Sequence, residues 1–201
     1  MLLLWDVDTQ VDFMLPGGKL YVPDAEKIIP NLRRLTAWAA EQHIPVISTA
    51  CAHRPGDPEL AIYGEHCIAG SRGQQKVPET LLRKRLVVPS RRVDLPDLHA
   101  FQQIVLEKRE FDFTSNPNHA EVLWQFGRGL DIIMYGVATD ICVASAASAL
   151  FAMGHKVALV RDAIAEIGIE DAARFLSDFV NLDGRLISVH DVITLSRKRA
   201  A

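Results

Sequence analysis

The sequence predicts a single-domain α/β protein of Rossmann-like architecture, with a six-stranded, mainly parallel sheet and helices on both of its faces. Segments with the apolar character of strands alternate with segments of helical periodicity, an order that is typical of a parallel sheet. The predicted strands are continuously apolar, which indicates that both faces of the sheet are covered. The chain has 201 residues, 49% of them hydrophobic, so one domain over residues 1–201 can bury a sizeable core.

The six predicted strands are short, mostly apolar runs. In chain order they are LLLWDV, PVISTA, QIVLEKR, DIIMYGVA, KVALVRDA and RLISVHDV, beginning at Leu2, Pro45, Gln103, Asp131, Lys156 and Arg185.

Helices are predicted between these strands. The first, DAEKIIPNLRRLTAWAAEQH, has apolar residues at helical spacing, with Asp24 as its expected N-cap and Pro30 expected near its first turn. HAEVLWQFGRG is a helix that ends at a glycine. Another helix runs from the end of the fourth strand to Gly154, and IEDAARFLSDFV is the last. The stretch from His53 to Pro78 is too long for a plain connection and is expected to be functional or flexible.

Composition excludes several function classes. The formal net charge is -3, so neither nucleic acid nor an anionic membrane surface is indicated as a partner. The first residues, MLLLWDVD, lack the positive region of a signal peptide, and no apolar run is long enough to span a bilayer. Three widely spaced cysteines are expected to be reduced, which favours the cytoplasm. The basic residues 197–201 are interpreted as a solvated tail.

Several reactive residues stand where predicted strands end. Asp8 follows the first strand, Cys51 and His53 the second, Lys108 ends the third, and Cys142 follows the fourth. Ligands of parallel sheets bind at this carboxyl edge. We therefore expect these side chains to converge.

Cys142 is predicted to lie in the first turn of a helix, where free N–H groups and the helix dipole favour a thiolate. The same N–H groups can hold an oxyanion. Taken singly, each of these residues has a more common structural role: Cys142 as a core residue, Asp8 as the cap of a turn and Lys108 as a solvated charge. Gln10 and Asp12 are interpreted as polar residues of a loop. An acid, a cation and a thiol at one sheet edge together favour a catalytic site.

Four segments resemble the nicotinamidase and isochorismatase-like cysteine hydrolases: DTQVDFMLPGGKLYVP, HCIAGSRG, EKREFDF and GVATDICVASAA. The resemblance runs through nearly the whole chain. It implies a triad of Asp8, Lys108 and Cys142, in which Asp8 takes the thiol proton and Cys142 attacks an amide carbon. It also implies an oxyanion hole formed by the N–H groups of Ala138 and Cys142, and a cis peptide between Val137 and Ala138.

The same resemblance implies a substrate pocket. Phe13 and Tyr63 would form its aromatic walls, while Thr139 and Asp140 would shape the turn and cap the helix. A flat amide fits between two aromatic faces, so nicotinamide is ranked first, with ammonia and nicotinate as products. Ureido, carbamoyl and maleamate-type amides are the alternatives, and a non-enzymatic binding protein of the same fold is a third possibility.

The resemblance further implies a metal, and here the sequence departs from the family pattern. His53 and His66 match two expected ligands, Cys51 stands where an aspartate is expected, and Glu59 falls near the position of another histidine. Either an open Zn²⁺ site on the two histidines, with Cys51 or Glu59 completing it, or no metal is expected. A site closed by four protein ligands leaves no place for a substrate's ring nitrogen. A structural zinc site that includes Cys67 has unsuitable spacing.

The segment DICVASAASALFAM is apolar almost all round and rich in small residues. Such a helix is either deeply buried or shared with a partner chain. The resemblance favours the second reading, so a homo-oligomer, a dimer or tetramer, is expected.

Overall fold

The computed structural model describes the backbone of residues 1–199 and the side chains of residues 1–194. Its strands are β1 (Leu2–Val7), β2 (Val46–Cys51), β3 (Arg85–Val88), β4 (Gln103–Lys108), β5 (Asp131–Val137), β6 (Lys156–Ala165) and β7 (Arg185–Ile187). They form one sheet in the order β3-β4-β2-β1-β5-β6-β7, and every neighbouring pair is parallel. The predicted basic tail, residues 197–201, lies outside the described side chains.

Helices cover both faces of the sheet, which confirms the predicted fold class. They are α1 (Val11–Met14), α2 (Ala25–Glu41), α3 (Pro58–Tyr63), α4 (His119–Phe126), α5 (Ala144–Ala152), α6 (Ile169–Asn181) and α7 (Val189–Arg199). Phe126, Leu150 and Phe179 bring α4, α5 and α6 into one core cluster. Leu35 and Val192 bring α2 and α7 into the other. No helix among the described residues is long and apolar enough to cross a membrane.

The sheet has seven strands rather than the predicted six. The missed strand is β3, which is short, lies at an edge, and leaves Arg85 and Val87 exposed. Its sequence therefore lacks the continuous apolar run of a buried strand. At the other edge, the predicted strand RLISVHDV ends at Ile187. The Ser188 N–H and hydroxyl donate to the Asp191 carboxylate at 2.8 and 2.6 Å, a capping arrangement that starts a helix instead.

The start of α2 also differs from the prediction. Asp24 precedes the helix, but it has a left-handed backbone (φ 62°) and its side chain makes no cap hydrogen bond. Its carboxylate instead pairs with Lys27 at 2.8 Å. Pro30 lies inside the helix, beyond the first turn.

Gly136 allows β5 to approach β1 beside Asp8. Its φ is +119°, and a Cβ atom there would lie 2.1 Å from the carbonyl oxygen of Val7. We expect Gly136→Ala to lower the free energy of unfolding by at least about 3 kcal/mol, because strain and a backbone clash add. Urea denaturation would measure the loss.

Gly154→Ala is the matched control for this substitution. Gly154 also has a positive φ (+82°), but no heavy atom lies within 4 Å of its added Cβ. Gly154→Ala should therefore lower the free energy of unfolding by only about 1 kcal/mol, the cost of a left-handed backbone at a residue with a Cβ atom. Equal losses in the two variants would show that the close approach at Gly136 does not constrain the sheet.

Candidate functional site

A buried ion pair joins the carboxyl ends of β1 and β4. Asp8 directly follows β1, and its Oδ2 lies 2.9 Å from Lys108 Nζ, with both side chains at most 1% exposed. The Thr49 hydroxyl donates to Asp8 Oδ1 at 2.7 Å, and Lys108 Nζ donates to the Glu110 carbonyl oxygen at 3.0 Å. Burial is the largest single influence and lowers the pKa of Lys108, but Asp8, Cys142 and Cys51 together outweigh it and raise the pKa well above its usual value, so the lysine is an ammonium.

Cys142 stands next to this pair. Its Sγ lies 3.8 Å from Lys108 Nζ, so the structure brings the three predicted residues together. Burial raises the pKa of the Cys142 thiol well above its usual value; Lys108 opposes the shift and Asp8 adds to it. The resting form is therefore the thiol, which needs a neighbouring base to become a nucleophile.

The backbone between β5 and α5 departs from an ordinary strand-to-helix turn. The Val137–Ala138 peptide is cis, as the resemblance implied. Thr139–Val143 form a single π-helical turn before α5, so Cys142 lies in a π turn rather than in the first turn of an α-helix. The Ala138 carbonyl oxygen accepts the N–H groups of Ile141 and Val143, which flank Cys142.

The expected capping roles of Thr139 and Asp140 are wrong. No side-chain cap bond is made at this helix start. The Asp140 carboxylate instead accepts the N–H groups of Ile167 and Gly168, at 3.0 and 2.8 Å. It thereby ties the loop between β6 and α6 to the start of the π-helical turn, because hydrogen bonds to a carboxylate are strong.

A narrow cleft opens onto Cys142. Phe13 is buried in its wall, and Tyr63 is 37% exposed, so both predicted aromatic residues border the cleft. The lining residues are Phe13, Leu20, Val22, Glu59, Tyr63, Val137, Ala138, Ile141, Cys142 and Ile167. A larger groove lies at the opposite, amino edge of the sheet, against Met1, Pro45 and Gln102, away from these residues.

A cluster of metal-ligating groups adjoins the cleft. Donor atoms of Cys51, His53, Glu59 and His66 all lie within 4.8 Å of one another. Nε2 of each histidine and Oε2 of Glu59 are buried without a hydrogen-bond partner among the described residues. Buried polar atoms without partners are costly. Imidazole, carboxylate and thiol donors are those that Zn²⁺ accepts in proteins, so the residues present fit this ion.

A neighbouring backbone group orients His66. Its Nδ1 lies 2.9 Å from the Gly64 carbonyl oxygen, a contact in which Nδ1 carries the proton and Nε2 keeps a free lone pair. Outer contacts of this kind hold a metal-binding imidazole in place. His53 Nδ1 lies 3.5 Å from Asp57 Oδ2, a carboxylate that Arg109 binds, but it makes no hydrogen bond among the described residues. Burial also lowers the pKa of His53, which favours the neutral ring.

The sequence pattern indicates loop polarity for Gln10 and Asp12, but both are structural anchors of the site. The Gln10 side chain accepts the Cys51 N–H at 2.7 Å and donates to the Cys51 carbonyl oxygen at 2.8 Å. Asp12 accepts the N–H groups of Cys67 and Lys19, at 2.7 and 3.2 Å. The sequence signal was available in DTQVD, where three polar side chains follow a buried strand at alternate positions.

The sequence of this chain matches a known protein family. The family model for the isochorismatase domain matches residues 1–191. A search of the curated proteins found no match.

Solved structures share the fold over almost the whole chain. The pyrazinamidase of Pyrococcus horikoshii in complex with zinc is 25% identical with a TM-score of 0.74, covering 93% of this chain and 98% of its own. An isochorismatase-like hydrolase from Alkaliphilus metalliredigens is 22% identical with a TM-score of 0.78, covering 96% and 98%. The N-carbamoylsarcosine amidase from Thermoplasma acidophilum is 23% identical with a TM-score of 0.74, covering 94% and 96%.

Proposed function

This chain belongs to the isochorismatase family, and from that premise we propose that it is a hydrolase that cleaves the C–N bond of a small amide through a thioester on Cys142, releasing ammonia. One observation carries the proposal. The buried Asp8–Lys108 ion pair adjoins the thiol at the cleft, with Lys108 Nζ 3.8 Å from Cys142 Sγ. A base, a fixed cation and a nucleophile in contact are the parts that acyl transfer needs.

The first half-reaction forms the thioester. Asp8 takes the proton of the Cys142 thiol, and the sulfur attacks the amide carbon. The carbonyl oxygen becomes an oxyanion, which the N–H groups of Ala138 and Cys142 stabilise. When the C–N bond breaks, Asp8 returns the proton to the leaving nitrogen, which departs as ammonia.

The second half-reaction regenerates the enzyme. Asp8 takes a proton from a water molecule, whose oxygen attacks the thioester carbon. The C–S bond breaks, the acid product leaves, and Cys142 recovers its proton from Asp8. Lys108 stays protonated throughout, holds the Asp8 carboxylate at 2.9 Å and offsets negative charge in the site.

The walls of the cleft favour a flat substrate. Phe13 and Tyr63 both line it, and aromatic faces bind planar groups by stacking. Nicotinamide is therefore the first substrate that we propose. A carbamoyl or ureido amide is the second, because Cys51 departs from the nicotinamidase pattern and a carbamoylsarcosine amidase shares the fold. A protein that only binds has no use for a nucleophile beside a buried base, so we do not propose a binding role.

A Zn²⁺ ion is part of the proposal. His53, His66 and Glu59 would hold it, because their unpartnered donor atoms meet beside the cleft. With a coordination position open, the bound ion would supply a Lewis acid beside the cleft. The pyrazinamidase of P. horikoshii was solved with zinc, which supports the choice of this ion.

We propose one domain for residues 1–201, acting in the cytoplasm on a small molecule, with no nucleic-acid or membrane partner. The homo-oligomer stays a prediction. Ala146, Ala147 and Leu150 of α5 are buried in the chain's own core, so this helix alone does not call for a partner chain. Light scattering that found a monomer across a wide concentration range would contradict the oligomer.

An ammonia-release assay tests the proposed function. The panel contains nicotinamide, an N-carbamoyl amino acid, a ureido acid and maleamate, each with and without added Zn²⁺. We expect turnover of at least one amide, together with an acyl adduct on Cys142 in the intact mass of quenched enzyme. Metal-free protein that cleaves other amides but not nicotinamide would select the second substrate class, and turnover by a folded Cys142→Ala variant would reject the thioester.

A further inference from the structure

Cys51 lies between the ion pair and the metal-ligating cluster. It is the last residue of β2 and is fully buried. Its Sγ lies 3.2 Å from Lys108 Nζ and 4.0 Å from Asp8 Oδ2. The same sulfur is within 4.8 Å of the donor atoms of His53, Glu59 and His66. One thiol therefore contacts the proposed catalytic lysine and faces the unpartnered donors.

The other three donors of the cluster already meet at one point. Glu59 Oε1 lies 3.5 Å from His66 Nε2 and 3.7 Å from His53 Nε2. Separations near these values join neighbouring ligands around one tetrahedral ion, whose bonds are about 2.0–2.3 Å long. Gln10 holds both backbone polar groups of Cys51, so the sulfur faces this point from a fixed backbone. The Cys51 sulfur is the fourth donor within 4.8 Å of the other three.

We propose that Cys51 binds the metal as a thiolate, which closes a four-ligand zinc site and joins it to Lys108 by a hydrogen bond. On binding, the thiol proton is released to solvent and a sulfur lone pair forms the bond to the metal. Two imidazoles, a carboxylate and a thiolate favour Zn²⁺ over harder ions, since thiolate is a soft ligand. The Lys108 ammonium then donates to the metal-bound sulfur while it holds Asp8.

A closed site changes what the substrate must offer. Four protein ligands fill the coordination sphere of a tetrahedral zinc ion, which leaves no position for a ring nitrogen. Substrates would then be selected by a planar amide that fits between the aromatic walls, and the ring nitrogen of a pyridine would give no advantage. This consequence for the substrate rests on the proposed function, whereas the coordination by Cys51 does not.

The chain contains its own controls, because two other buried thiols lie near the cluster. Cys67 follows His66 directly, but its Sγ is directed to the Gly73 carbonyl oxygen at 3.7 Å. Cys142 contacts Lys108 from the side of the cleft. Single substitutions of the three cysteines therefore separate the proposed ligand from its neighbours.

Cobalt substitution tests the proposal without turnover. Apoprotein is loaded with Co²⁺, and absorption is recorded for the wild type, Cys51→Ala, Cys51→Asp, Cys67→Ala and Cys142→Ala. We expect a thiolate-to-cobalt charge-transfer band in the wild type, Cys67→Ala and Cys142→Ala. The band should be lost in both Cys51 variants, while Cys51→Asp still binds cobalt through a carboxylate. Zinc affinity, measured against a chromophoric chelator, should fall at least about tenfold in Cys51→Ala.

The proposal would be overturned if the wild type bound no metal, or if it bound cobalt but showed no charge-transfer band. It would also be overturned if the band persisted in Cys51→Asp or disappeared in Cys67→Ala. A shift of the visible cobalt bands of Cys142→Ala on addition of nicotinamide would show an open site. If the charge-transfer band is present but no amide releases ammonia, the proposed function is contradicted and the coordination by Cys51 stands. If ammonia is released but the band is absent, the coordination by Cys51 is contradicted and the proposed function stands.

Discussion

Cys142→Ala is expected to abolish amide hydrolysis, lowering kcat by at least about 10³-fold. Cys142 is 9% exposed and lines the cleft, whereas Cys51 and Cys67 are 0% exposed. No other thiol of the chain therefore borders the space that a substrate would occupy. The substitution removes one sulfur from the edge of that space, so we expect the fold to be retained. Ammonia release measures the activity, and circular dichroism with thermal unfolding measures the fold.

Cys67→Ala is the control for this prediction. It removes a buried thiol from the same region but leaves the cleft and the ion pair untouched, so kcat should change little. Both variants should melt within a few degrees of the wild type. A folded Cys142→Ala variant that kept most of its activity would show that the nucleophile is elsewhere.

The centre of the sheet was predictable from the sequence, whereas one edge strand, β3, was missed and the other, β7, was predicted too long. β1, β2 and β5 are buried on both faces, so their sequences are mostly apolar. The edge strands β3 and β7 are short and partly exposed, and such strands carry no continuous apolar signal. The Ser188–Asp191 cap decided where β7 gives way to a helix, and capping acts at single residues rather than through periodicity.

The convergence of Asp8, Lys108 and Cys142 was predictable for a topological reason. Carboxyl ends of parallel strands meet at one edge, so residues that end different strands become neighbours. The roles of Gln10 and Asp12 were not predictable in this way, because each binds backbone groups about 40 or more residues away. The position of Glu59 in the metal cluster likewise depends on α3, a six-residue helix within the long loop.

Asp8→Asn should change turnover and thiol reactivity in opposite directions. Hydrolysis should fall at least about 10³-fold, because an amide cannot take the thiol proton. The negative charge of Asp8 adds to the rise in the Cys142 pKa that burial causes, while Lys108 opposes it. Removing that charge lowers the thiol pKa, so a larger fraction is thiolate at any pH below it. Alkylation of Cys142 by iodoacetamide near pH 7 should therefore become faster.

The buried lysine strengthens this expectation. Lys108 is 1% exposed and loses its carboxylate partner in Asp8→Asn, and an unpaired buried charge costs about 3–5 kcal/mol. A Cys142 thiolate 3.8 Å away is the anion that can replace it. Mass spectrometry of the labelled Cys142 peptide across pH would report the shift of the alkylation profile to lower pH.

Asp6→Asn is the matched control, because it removes another buried carboxylate from another buried pair. Asp6 Oδ2 lies 3.1 Å from Lys76 Nζ, and both side chains are at most 4% exposed. Asp6 is not among the groups that shift the Cys142 pKa most strongly. A general loosening of the fold would speed alkylation of Cys142 in both variants. Loss of the negative charge beside Cys142 would speed alkylation in Asp8→Asn alone. Unchanged or slower alkylation in folded Asp8→Asn would show that Asp8 does not control the pKa of the Cys142 thiol. That result would also contradict its proposed role as the proton acceptor.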